Sequence, residues 1–119
     1  MKDLSVLPEH LRGAAKADGP DFAWPLGMAA EVIQALVDEG AVVRGVEAWM
    51  LDAEGVPAVV GWSSYELGDC LSDWEGSVAR SKVEAENVLL GILGTAAEEQ
   101  VNYVGIDWAF PGDLEVAEE

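Results

Sequence analysis

An α+β fold, with a small, mostly antiparallel three-stranded sheet packed on one face by helices, is predicted by three features of the sequence. Residues 25–39 and 72–93 repeat apolar side chains at helical spacing. Residues 41–51, 56–63 and 101–109 are short runs rich in valine and aromatics, as strands are. Glycine, proline and short polar clusters separate them. The order helix, helix, strand, strand, helix, strand suits helices laid on one side of a sheet. At 119 residues the chain has the size of a single domain, 1–119.

Residues 1–20 form a weak opening segment. Val6, Leu7, Leu11, Ala14 and Ala15 place a short helix on the core, Pro8 suits its first turn, and Gly19-Pro20 closes it. The core spans 20–110. In it Pro25 fits the first position of a helix carrying Leu26, Ala29, Ala30, Ile33, Leu36 and Val37 on one stripe, and Gly40 stops it. Strand 41–51 is expected to send Val42, Val46, Ala48 and Met50 one way and Val43, Glu47, Trp49 and Leu51 the other. Asp52 to Gly55 is a turn into a second strand, and Pro57 marks an edge or a bulge at its start.

Ser72 and Glu75 have capping-box spacing for the long helix, which is expected to end near residue 93. Val78, Ala85, Leu89 and Ile92 line one face, with Arg80–Glu84 and Lys82–Glu86 as solvent-side pairs. Residues 94–100 read as a turn. In the last strand Val104, Ile106 and Trp108 face the core while Tyr103 and Asp107 point away. Residues 111–119 are an acidic tail.

The formal net charge is −17. Residues 1–20 are neutral, so the excess lies in 21–119, where 20 acids face only Arg44, Arg80 and Lys82. Such a field repels phosphate, which argues against nucleic acid and against membrane adhesion, and it attracts a cationic partner. Solubility alone is an equally good reason for it. The lone Cys70 cannot close an internal disulfide, and the sequence opens on no signal-like apolar region, so a cytoplasmic location is expected.

Catalytic parts are scarce. His10 is the single histidine, Ser63 and Ser64 lie in no nucleophile elbow, and no phosphate-cradling glycine motif occurs. One cysteine and one histidine make a zinc site improbable. No catalytic residue, metal ligand or cofactor is therefore assigned. Asp69, Asp73 and Glu75 cluster at the start of the long helix, where the helix dipole accounts for the last two.

Among the five tryptophans, Trp24, Trp74 and Trp108 read as core or staple residues. If helices cover the Val42/Met50 side, Trp49 stands on the opposite side with Glu47, Tyr103 and Asp107. Exposed rings among carboxylates suit a basic protein partner. Coverage of Trp49 by the opening segment is the competing expectation.

The run Phe22-Ala23-Trp24-Pro25-Leu26, a helix ending at Gly40, and a valine strand carrying a glycine and an acid are together similar to the immunity protein 40 family of bacterial polymorphic-toxin systems. Trp74-Glu75, then Ser81 and Ala85 along the long helix, agree with it, and the likeness spans about residues 19–108. In that family two adjacent glycines and an acid follow the first strand's valines. Here Arg44-Gly45-Val46-Glu47 has lost one glycine and displaced the acid. The resemblance implies a small α+β protein that binds and neutralises a cognate toxin.

The expected function is thus an immunity protein docking on a basic toxin domain, with no fixed oligomeric state. Glu47, Trp49, Tyr103 and Asp107 form the candidate contact surface, and Trp62, Asp69 and Asp73 lie at its margin. A small ligand-binding or carboxylate-based enzymatic domain and a homo-oligomer subunit stand as alternatives.

Overall fold

The computed structural model describes residues 4–18, 21–54, 57–64 and 72–112. It shows an α+β fold in which one antiparallel sheet carries helices on one face. Among the described residues the sheet has five strands rather than three, in the order β1-β2-β5-β3-β4. They are β1 (Lys16–Asp18), β2 (Asp21–Pro25), β3 (Val42–Leu51), β4 (Pro57–Ser64) and β5 (Tyr103–Ala109), with helices α1 (Glu9–Ala14), α2 (Ala29–Asp38) and α3 (Trp74–Glu99).

The two additional strands form a hairpin inside what reads locally as a turn. β1 is only three residues long. β2 is held by non-local pairing, with Ala23, Trp24 and Pro25 opposite Gly105, Val104 and Tyr103 of β5. Pro25 therefore closes a strand instead of opening a helix. A 3-10 turn over Leu26–Met28 follows it and leads into α2.

β5 is the central strand. Val43, Val46 and Ala48 of β3 stand opposite Trp108, Ile106 and Val104 of β5. Most of these side chains join Trp24, Val32, Ile33, Leu36, Ala85 and Leu89 in the main apolar cluster. Ala48 packs with Ala96 and Val101 in a smaller one. Val43 reaches the helix-facing side because the β3–β5 register slips between Val43 and Gly45, leaving Arg44 without a cross-strand partner. One extra residue reverses the alternation, so the expected grouping of Val42 with Val46 is corrected. Val42 falls opposite Ala109, and both are buried.

Tryptophan donors fasten the pieces. Trp24 Nε1 donates to the Leu11 carbonyl at 2.7 Å, tying α1 to β2. Trp74 Nε1 donates to the Gly40 carbonyl at 2.6 Å, fixing the start of α3 against the end of α2. Gly40 has φ +85°, the left-handed conformation expected where α2 ends.

The cap of α3 is Asp73 and not Ser72, since the Asp73 carboxylate accepts the Gly76 amide at 3.1 Å. α3 also runs past Gly94 to Glu99, beyond the end expected near residue 93. It stops at Gln100 (φ 59°), where the Val101 amide reaches back to the Ala96 carbonyl at 2.9 Å. Val101 packs on Ala96, the apolar contact that accompanies this kind of helix end.

Candidate functional site

The sheet face turned away from the helices collects the residues that the charge pattern singles out. Along β3, Gly45, Glu47 and Trp49 alternate onto it, opposite Asp107, Gly105 and Tyr103 of β5. Glu47, Tyr103 and Asp107 are each half-buried. Trp62 occupies the backbone position opposite Glu47 on β4, the strand at the sheet edge that Pro57 signalled.

Trp49 departs from its expected role. It is 1% exposed, so its ring is not a surface anchor. The indole leans across the sheet onto Gly105. A Cβ built on Gly105 would lie 2.5 Å from Trp49 Nε1 and 2.8 Å from Cε2. A glycine inside a strand commonly marks such a close approach, and Gly105 was the sequence signal for it.

Trp49 Nε1 donates to Glu47 Oε2 at 3.0 Å. This bond satisfies a buried donor and holds the Glu47 carboxylate in place, while a carboxylate keeps further acceptor sites for a partner. Ala23 of β2, opposite Gly105, is also fully buried. The face therefore presents two carboxylates and a phenol around a buried indole, instead of a row of exposed rings.

The marginal residues separate. Asp73 caps α3 in the helix layer, with Arg80 at 3.9 Å, and is not part of this face. Asp69 and Cys70 lie outside the described residues. Arg80 also donates to Ser77 Oγ at 3.0 Å, so it turns back toward the helix start instead of forward to Glu84. Lys82 makes the expected pair with Glu86 at 3.4 Å. His10 is exposed and pairs with Glu31 of α2.

On the helix side, Val6, Leu7, Pro8 and Ala35 line a depression of about 490 Å³, with Asp38 and Glu39 on its rim. Among the described residues, no group of three or more His, Cys, Asp or Glu side chains could hold a metal ion. Among the same residues, no buried side-chain nitrogen or oxygen lacks a hydrogen-bond partner. No helix among them is long and apolar enough to cross a membrane.

No protein-family model, curated protein or solved structure matches this chain.

Proposed function

We propose that this protein acts by stoichiometric binding of a basic protein, in the manner of an immunity protein that neutralises a toxin domain. The observation that carries the reading is the charge. Twenty acids against three bases over residues 21–119 create a field that steers and orients a cationic partner. Glu47 and Asp107, with Tyr103 at the start of β5 opposite Trp49, supply a place on the fold where that field can become specific contact. The Trp49 bond to Glu47 supports this, because an acceptor held before binding loses less freedom on binding.

The experiment is capture of partners from the native cell by the tagged protein, washed at low and at high salt. A single basic polypeptide retained in stoichiometric amount, and released by salt, is the expected result. An empty capture from cells expressing the neighbouring genes would overturn the reading.

A further inference from the structure

The two edges of the sheet differ. β1 is three residues long and carries Lys16 and Asp18, charges of the kind that keep an edge from pairing. β4, at the other end of the strand order, runs for eight residues without a charged side chain. Among the described residues no strand lies beyond it. The hydrogen bonds of β3 fix which backbone groups of β4 face outward. The Leu51 amide and carbonyl both bond to the Asn102 side chain, and the Trp49 carbonyl accepts the Asn102 amide. Leu51 and Trp49 thus turn their peptide groups toward β5 and away from β4. By alternation, Leu51–Pro57, Trp49–Val59, Glu47–Trp62 and Gly45–Ser64 are the pairs that exchange no bonds. Pro57, Val59, Trp62 and Ser64 therefore aim their backbone groups at the outer edge. The missing N–H of Pro57 falls on that side, where β3 does not need it. Between Val59 and Gly61 the register with β3 slips, and Val60 has no partner on that strand.

We infer that β4 pairs antiparallel with β4 of a second copy, joining two sheets edge to edge. The bulge identifies the occupant. A regular strand laid along this edge would have to slip by one residue at Val60, as β3 does. A second copy carries its extra residue at the same place. About a two-fold axis between Val60 and Gly61, Val59 meets Trp62 of the mate and Pro57 meets its Ser64, so every outward-facing residue finds another. Each Val59–Trp62 pair then exchanges two bonds. Each Pro57–Ser64 pair makes one, from the Ser64 amide to the Pro57 carbonyl.

The uncharged strand is also the part of a chain of net charge −17 that approaches its own copy with least repulsion. One strand pair buries little area, so the association is weak and depends on concentration. Like charges on the rest of the two copies oppose it, so it strengthens as salt rises, opposite in sign to the binding of a basic partner. The pairing sets the helices of both copies on one side and leaves both Glu47/Asp107 faces open on the other.

The test is sedimentation equilibrium of the whole chain from about 10 to 500 µM at low and high salt, with amide hydrogen exchange followed by NMR over the same range. The expected result is a mass rising from 12.6 kDa toward twice that value, and further at high salt. The amides of Val59, Trp62 and Ser64 should exchange fast in dilute solution and slow down as the mass rises. Those of Ala58 and Ser63, which face β3, should stay slow throughout. Val59→Pro removes an outward N–H and no bond to β3, and should weaken association about tenfold. A monomer throughout, a dimer whose outward amides stay fast, or a dimer indifferent to Val59→Pro would overturn the inference. Were Val59→Pro not to fold, the exchange pattern of the unaltered chain decides alone. None of these outcomes depends on whether the basic partner exists.

Discussion

The Ser81 hydroxyl of α3 accepts the backbone amide of Val43 in β3 at 3.0 Å, in a fully buried position. It also donates to the Val78 carbonyl one turn earlier at 2.9 Å, so both of its hydrogen-bonding functions are used. Val43 adjoins the bulge that turns its side chain toward the helices. One hydroxyl thus fastens the longest helix to the strand at the point where the alternation of that strand reverses. Removing it deprives a buried amide of this acceptor, at a cost of about 1–3 kcal/mol. Ser81→Ala is expected to lower the unfolding free energy by that amount, read as a lower urea midpoint at an unchanged slope, whereas Ser81→Thr should retain part of the bond.

The Trp49–Gly105 approach leaves no space for a methyl group. Gly105→Ala is expected to destabilise by about 1–3 kcal/mol, the usual range for overpacking. Trp49→Phe removes the nitrogen that lies nearest and should also destabilise on its own. The two changes together should cost less than their sum, because the smaller ring vacates the space that the methyl group needs. Denaturant titration of both single variants and the double variant measures this coupling. Strict additivity would show that the two residues do not share the space.

Gln100 holds a left-handed backbone at φ 59° and ψ 33°, a conformation that costs a side-chain-bearing residue about 1 kcal/mol relative to glycine. Gln100→Gly should therefore stabilise the protein and raise the thermal midpoint by about 4 °C for a chain of this size. Calorimetry of the two proteins decides it.

Periodicity made the central elements legible. Val104, Ile106 and Trp108 alternate in sequence and face the helices in the structure. Val78, Ala85, Leu89 and Ile92 pack inward along α3. The parts that escaped are those decided by distant contacts. Lys16-Ala17-Asp18 has no strand character of its own, and the β1–β2 hairpin joins the sheet only through β2 lying against β5. The reversal at Arg44 adds one residue to the spacing, with Gly45 as its faint signal. Residues 94–100 read as a turn, but Ala96 and Val101 packed on Ala48 carry the helix on to Glu99.

The candidate face was legible in outline. Glu47, Trp49, Tyr103 and Asp107 share one side as their positions predict. Alternation assigns a side chain to a face without telling how deeply it sits there. The burial of Trp49 followed from Gly105, a residue with no side chain to catch attention.

The central claim is that the carboxylates of the sheet face recognise a basic protein. It is tested most directly by titrating the captured partner with the wild-type chain and with the Glu47→Lys/Asp107→Lys variant over a range of salt. Binding is expected to weaken as salt rises, and the double variant to lose at least a hundredfold in affinity, about 3 kcal/mol. A Glu84→Lys control on α3 should change affinity only slightly. Equal losses from the face variant and the α3 control would leave only a general attraction of opposite charges, and would contradict a binding site on the sheet face.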